Sequence, residues 1–252
     1  MKKIKFLAIL FLGMLSINAQ NKELADPKDT EVYQPVPPTV QPYSQQGVPS
    51  DAIVLFDGSS LTEWESSNDK TATTWKLNKA DKSMTIHNGG TKENATIQTK
   101  KEFGSVQLHI EWKSPSKIVK SGQGRGNSGV FLQGRYEVQV LDNNNNDTYV
   151  NGQVGSVYKQ SIPLAKASVA TGEWNTYDII YHAPEFDGDK LVKPGTLTLL
   201  HNGILVQDHF VIKGPTQYRG VPKYNSHGKA SIKLQDHGSP VSYRNIWVRE
   251  LK

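Results

Sequence analysis

The 252-residue chain contains no cysteine. That absence excludes disulfides, thiolate metal ligands, a cysteine nucleophile and a lipobox anchor together. A domain without such staples has to rest on its apolar core, and this length is enough to bury one. Helical patterning is missing as well, since no stretch of ten or more residues sustains a 3.6-residue apolar period. Long apolar runs are also absent. The most extended one, from Phe6 to about Leu15, is too short to cross a bilayer comfortably, so no transmembrane anchor is expected. The signatures of several enzyme classes are not there either. No HExxH or G-x-S-x-G string occurs, and the seven histidines show no tight metal-ligand spacing, which argues against a zinc site. A hard cation such as calcium, held by Asp, Glu and backbone oxygens, fits the residue types, but no EF-hand loop announces it.

What is present begins with "MKKIKFLAILFLGMLSINAQ", in which lysines precede an apolar run and small residues end at Ala19. This reads as a secretory signal peptide over residues 1–19, so export to the periplasm or beyond is expected. Three of the 29 Lys and Arg lie in that segment, which leaves 26 against 24 acids. The basic balance therefore belongs mostly to the signal. A nucleic-acid surface would need a concentrated basic face, and the remaining cations are scattered among acids, so no nucleic-acid partner is expected. Residues 20–50 form a leader with Pro27, Pro35, Pro37, Pro38, Pro42 and Pro49, a composition that favours extended chain. Val32, Tyr33, Val36 and Tyr43 give it the means to act as a surface strap instead.

From residue 51 to 252 short β-like runs alternate with Gly, Asn, Asp and Pro. They include "SVQLHIEWK", "GVFLQ", "YEVQVL", "WNTYDIIYHA", "TLTLLHN" and "YRNIWVREL". Many short strands without intervening helices define an all-β domain, a two-sheet sandwich or a barrel. "HNGI" at 201–204 is the clearest hairpin turn, because Asn-Gly supplies the positive φ angles of a type I′ turn.

Three of these strands carry unusual groups on their polar sides. In "SVQLHIEWK" the apolar face is Val106, Leu108, Ile110 and Trp112, and the other face holds His109 and Glu111. In "YEVQVLD" the polar face shows Glu137 and Gln139, and in "SIKLQDHG" it shows Lys233, Gln235 and His237. Each is either an ordinary wet face or part of a site. If all three lie on one side of one sheet, carboxylates, histidine and amides converge. The loop "SGQGRGNSG" at 121–129 could bring backbone N–H groups, Arg125 and Asn127 to a ligand, or it is a surface turn. Among the aromatics, Trp112 and Trp247 read as core, while Tyr158 in "GSVYKQ" reads as a pocket wall.

The strings "LFDGSSLTEW", "GNSGVFLQGRYEVQVLD", "GSVY", "GEWNTYDI" and "IKLQDHGSPVSYRNIWVREL" together resemble, in that order, the 3-keto-disaccharide hydrolase family over about residues 52–252. The resemblance implies a concanavalin A-like jelly-roll β-sandwich of two antiparallel sheets that binds saccharide on its concave sheet. It also implies cleavage of glycosides already oxidised to a ketone at sugar C3. A C3 ketone acidifies the C2 proton, so the chemistry needs a base at C2, a positive or hydrogen-bonding group at the enolate oxygen, and an acid at the leaving oxygen. Glu137, His237 and Glu111 are the candidates for proton transfer. Arg125 or a bound cation is the candidate at the enolate, and Asn127, Gln139, Tyr158 and Gln235 would orient hydroxyls. A conventional β-glucanase of this fold would carry acids where Glu137-x-Gln139-x-x-Asp142 stands. With the middle acid an amide and Asp142 out of alternation, that reading is disfavoured, because a retaining pair sits about 5 Å apart. A non-catalytic lectin-like module tolerates the same residues.

Overall fold

The computed structural model describes residues 27–42, 47–87 and 94–251. The expected signal segment and Tyr43 lie outside them. The chain divides into two units, residues 1–39 and 40–252. The described part of the first is a single 3-10 turn at Pro27–Thr30 and irregular chain, with Val32, Tyr33 and Val36 exposed. The second unit starts inside the expected leader. There the Ser50 N–H donates to the Gln41 carbonyl (2.9 Å), the Gln41 N–H donates to Ser50 Oγ (3.0 Å), and Val48 is buried.

This second unit is the antiparallel two-sheet sandwich expected from the strand spacing. Its strands are β1 (Ile53–Phe56), β2 (Trp64–Ser66), β3 (Lys76–Asn78), β4 (Ser83–Thr85), β5 (Ile97–Thr99), β6 (Val106–Lys113), β7 (Ser128–Leu132) and β8 (Tyr136–Val140). They continue with β9 (Asn175–His182), β10 (Glu185–Asp187), β11 (Lys190–Lys193), β12 (Thr196–His201), β13 (Ile204–Val211), β14 (Lys233–Leu234) and β15 (Ser242–Glu250). The larger sheet runs β13-β12-β9-β6-β15-β4-β3 with β1 also on β15. The smaller runs β2-β5-β14-β7-β8, and β10-β11 is a separate ribbon. The short strands β2, β3 and the β10-β11 ribbon had no signal in the periodicity. The β12-β13 turn has φ of 52° at Asn202 and 77° at Gly203, the left-handed pair that Asn-Gly foretold.

Alternation decides which side chains fill the space between the sheets. Val106, Leu108, Ile110 and Trp112 of β6 and Tyr136, Val138 and Val140 of β8 all point into the core. Burial of such side chains stabilises by about 1.5–3 kcal/mol each. Tyrosines from the larger sheet cross that core and bond the smaller one. Tyr177 of β9 donates to the Gln139 carbonyl (2.7 Å), and Tyr243 of β15 donates to Ser128 Oγ (2.6 Å), which in turn donates to the Gln235 carbonyl (2.5 Å). The backbones of β7, β8 and the segment after β14 are thus fixed from beneath, each bond contributing about 1 kcal/mol.

Trp247 is buried as expected, but not between the two sheets. A register shift in β15 between Arg244 and Trp247, with Asn245 at φ 47°, turns it to the outer face of the larger sheet. It stacks there on His109 at 5.0 Å and 7°, beside Val40, Pro42 and Pro49.

Candidate active site

The smaller sheet lays its polar face in rows. Across its strands Glu65, Gln98, Lys233, Phe131 and Glu137 are successive Cα partners, and one step along, Gly129 pairs with Gln139. β8 is the last strand of that sheet, yet its edge is closed. Gln139 N–H donates to the Ser156 carbonyl (3.0 Å), Gly155 N–H to the Gln139 carbonyl (3.0 Å) and Tyr158 N–H to the Glu137 carbonyl (3.1 Å). The same bonds set Tyr158 and Lys159 above Glu137. Lys159 holds a left-handed φ of 59°, supported by its N–H bond to the Asn151 carbonyl at 2.7 Å.

The result is a cavity of about 650 Å³ lined by Glu137, Gln139, Gln235, His237, Asn127 and Tyr158, together with Gln123, Phe131, Tyr149, Lys159, Thr216 and Tyr218. Six of the eight residues anticipated from the sequence meet here. Glu137 is only 5 % exposed, and no side chain among the described residues hydrogen-bonds or ion-pairs with its carboxyl. Burial alone pushes its pKa up to about 8. There is room for the carboxyl because position 129 has no side chain: a Cβ on Gly129 would lie 2.6 Å from Glu137 Oε1. Gln235 offers a second unspent group, a buried Oε1 without a partner. Gln139 donates to Gln123 Oε1 (3.1 Å), Asn127 donates to the Gln123 carbonyl (2.6 Å), and Gln123 is itself tied to Thr148 and the Gly152 carbonyl.

The far wall is aromatic. The Tyr149 and Tyr158 hydroxyls share a hydrogen bond of 2.6 Å, and burial, then that bond, raises Tyr158 so that it stays protonated. Lys159 Nζ donates to the Tyr218 carbonyl (2.7 Å) and sits 4.4 Å from that ring's centre. Neither Lys159 nor Gln123 was singled out by sequence patterning, although each lies in a stretch that was.

Two anticipated residues stand elsewhere. Glu111 belongs to β6, on the outer face of the larger sheet, so the three polar faces do not share one sheet. Its carboxylate accepts from Arg244 Nε (2.6 Å) and Asn245 Nδ2 (2.8 Å). Burial opposes ionisation there, but the nearby His109, 3.9 Å away, and the bonds from Asn245 and Arg244 outweigh it and hold Glu111 at about 2. Burial likewise works against a charged His109, which Asp178 (2.7 Å) and Glu111 nevertheless raise to about 9. A carboxylate so fully engaged is a structural ion, not a free base. Arg125 is the second correction. Its Nε donates to Asp142 Oδ2 (2.9 Å) and its Nη2 to Thr171 Oγ1 (3.1 Å), which takes the guanidinium away from the cavity. A buried guanidinium requires an anion beside it, and Asp142 supplies that anion. Asp142 is thereby spent, so among the described lining residues Glu137 has no second carboxyl to form a hydrolytic pair. Gly126 permits the approach, because a Cβ there would meet Asp142 and Ser114 at 3.0 Å.

The donor set does not suit the calcium-type ion considered from the sequence. Glu137 is the one carboxylate among the lining residues, its neighbours are amides and hydroxyls, and Lys159 adds a positive charge. Among the described residues no group of three or more His, Asp or Glu could hold a metal. No described helix is long and apolar enough to cross a membrane.

Amides and hydroxyls facing aromatic walls around one buried carboxyl have the chemistry to hold a polar ring, and the family match and the solved structures support a carbohydrate-active protein. Residues 51–249 match the 3-keto-alpha-glucoside-1,2-lyase-like domain, and the chain belongs to that family. A crystal structure of a candidate glycosyl hydrolase from Parabacteroides distasonis is 49% identical, with a TM-score of 0.82, covering 90% of this chain and 97% of that one. A second candidate glycosyl hydrolase from the same organism shares the fold at 20% identity, with a TM-score of 0.60, covering 80% of this chain and 94% of that one. No curated protein matches the chain.

Proposed function

We propose that the protein is an exported enzyme that cleaves 3-keto-glycosides by elimination followed by hydration. The observation that carries this reading is Glu137, a buried carboxyl without a partner among the described residues, on the floor of a polar cavity, its pKa raised to about 8. A base near neutrality in a buried position is suited to removing a carbon-bound proton. The ionised carboxylate takes the C2 proton, and the electron pair delocalises onto the C3 oxygen as an enolate. When the enolate collapses, C3=O re-forms, a C1=C2 double bond forms and the C1–O bond breaks. The leaving oxygen receives a proton, for which the Tyr158–Tyr149 hydroxyl pair and His237 are the candidates. Water then adds at C1, and Glu137, its carboxyl proton having exchanged with solvent, protonates C2, so the net change is hydrolysis.

The amides play a different part. Gln235 Oε1 needs a hydroxyl donor, and Gln139 and Asn127 complete a frame that orients a sugar ring. A lectin-like module would use the same frame without the proton transfers. An ordinary retaining glycosidase lacks support here, because Asp142 is engaged with Arg125 and Thr171.

The deciding experiment incubates the purified chain with a glucoside and with its 3-keto counterpart in deuterated water. Cleavage of the keto form alone, with deuterium appearing at C2 and no effect of EDTA, is the expected result. Cleavage of the unoxidised glucoside would overturn the reading. Sugar binding without cleavage of either form would leave the lectin-like module.

A further inference from the structure

The Glu137 cavity does not end at its aromatic wall. Tyr149 and Lys159 also line a second cavity of about 810 Å³, so the two spaces lie on either side of the same pair of side chains. The character of the lining changes across that boundary. On the Glu137 side the free groups are amides, hydroxyls and a carboxyl. Beyond Tyr149 the exposed surface includes Val150 (52 %), Ile162 (60 %) and Leu164 (67 %), with Phe210 beside them and Asp208 and Lys213 at the edge of the same lining. The buried amides and hydroxyl of the second space are engaged with the protein's own backbone, while Asp208 and Lys213 face outward. Gln160 donates to the Gly214 carbonyl (2.9 Å) and accepts from the Lys213 N–H (2.8 Å), Gln207 donates to the Gly155 carbonyl (2.8 Å), and Ser161 Oγ accepts from the Val157 N–H (2.9 Å). Little amide or hydroxyl capacity is left there for a second sugar ring.

Exposed aliphatic side chains clustered on a monomer surface usually mark a place where something apolar is bound. Here the cluster adjoins the sugar cavity, and it lies on the side where the Tyr149–Tyr158 hydroxyl pair would face a leaving oxygen. We infer that the second cavity is a subsite for the aglycone, and that the aglycone it favours is aromatic or aliphatic rather than another sugar. This rests on the reading of the Glu137 cavity as the sugar site. In the glycosides so defined, the sugar's hydroxyls meet Gln235, Gln139 and Asn127, while the apolar group covers Ile162 and Leu164. Transferring a ring-sized group from water onto such a surface is favourable in proportion to the apolar area covered.

The test separates this inference from the chemistry. Equilibrium binding of unoxidised phenyl and methyl glucosides to the full chain is measured by calorimetry, and kcat/KM is measured for their 3-keto counterparts. Both are repeated for the double variant Ile162→Ser/Leu164→Ser, whose two sites are exposed and whose fold is checked by its melting temperature. The phenyl glucoside is expected to bind about tenfold more tightly than the methyl glucoside. In the variant, the phenyl-to-methyl ratio falls by about the same factor, in binding and in kcat/KM alike. Comparing ratios between wild type and variant cancels the better leaving ability of phenol. Equal affinity for the two glucosides, or a phenyl preference unmoved by the variant, would overturn the subsite. If the preference appears in binding and is lost in the variant while no keto-glucoside is cleaved, the subsite stands and the elimination chemistry falls. Turnover of both keto-glucosides with a ratio that the variant does not alter would do the reverse.

Discussion

Replacing Glu137 by Gln tests the central residue through two independent properties. The carboxyl ordinarily titrates near 4.5, and burial raises it to about 8 in the folded protein. Between those values the folded protein keeps a proton that the unfolded chain gives up. Folding therefore loses stability as pH rises, and the loss is complete only above the folded pKa. Each pH unit costs about 1.4 kcal/mol, so Glu137 removes about 3 kcal/mol at pH 7 relative to pH 4.5, and about 5 kcal/mol above pH 8. The amide introduced by Glu137→Gln has the same shape and does not titrate. The variant should thus match wild type near pH 4.5 and exceed it by those amounts at higher pH. Urea unfolding followed by tryptophan fluorescence from pH 5 to pH 9 measures the difference, in which all other titrating groups cancel. On the 3-keto-glycoside the same variant should lose about 10²–10⁴-fold in kcat, the ordinary contribution of a general base, while sugar affinity changes little. Wild-type kcat/KM should rise with pH and level off above about 8. A stability difference that stays flat with pH would refute the picture of an isolated buried carboxyl, whatever the activity did.

Gly129→Ala should lower kcat about 10–100-fold with little change in melting temperature, because its Cβ would press on Glu137 Oε1 at 2.6 Å and Phe131 Cε2 at 2.9 Å. A fully active Gly129→Ala enzyme would show that the carboxyl has other room. Arg125→Ala should destabilise by about 3–5 kcal/mol in urea, since it strands the buried Asp142 charge, and a loss of sugar binding without destabilisation would restore Arg125 as a ligand group. Glu111→Gln should leave kcat/KM within about twofold while costing about 1–3 kcal/mol of stability, since it weakens the bonds to Arg244 and Asn245 on the other sheet. A large kinetic effect there would contradict the separation of the two polar faces.

The difference between what the sequence conveys and what it withholds follows from the range of each interaction. Alternation is local, so Tyr136, Val138 and Val140 could be assigned to one face of β8 and Glu137 and Gln139 to the other from spacing alone. The Asn202-Gly203 turn was legible for the same reason. The membership of a strand in a sheet is not local. β6 and β8 carry similar polar faces, yet β6 lies between β9 and β15 in the larger sheet and β8 ends the smaller one. Glu111 and Glu137 consequently have opposite fates, one pinned by Arg244 and Asn245, the other left without a partner. The local alternation around the two carboxylates does not distinguish them. The side of the sheet on which Trp247 is buried was hidden by a subtler effect, since the register shift at Asn245 inverts the alternation that follows it.

The same reasoning explains why the glycine-rich loop, open from the sequence to a binding role or a plain surface turn, is mostly a brace. Glycines such as Gly126 serve close backbone approach in either role, and the decision lies with a partner on the far side of β7 and β8. Asp142, just ahead of the asparagine run, takes Arg125, and Asn146 at its end holds the loop by accepting from the Gly122 N–H (2.6 Å) and donating to the Gly122 carbonyl (3.0 Å). What remains of the loop for the cavity is Gln123 and Asn127, both neutral. The guanidinium thus stabilises the wall, and the cation left on the lining is Lys159, held at a left-handed backbone position above β8. With neutral amides around it, the Glu137 carboxyl keeps the raised pKa that a neighbouring Arg125 would have abolished. The displacement of Arg125 to Asp142 is therefore part of what leaves Glu137 with the raised pKa that the proposed chemistry calls for.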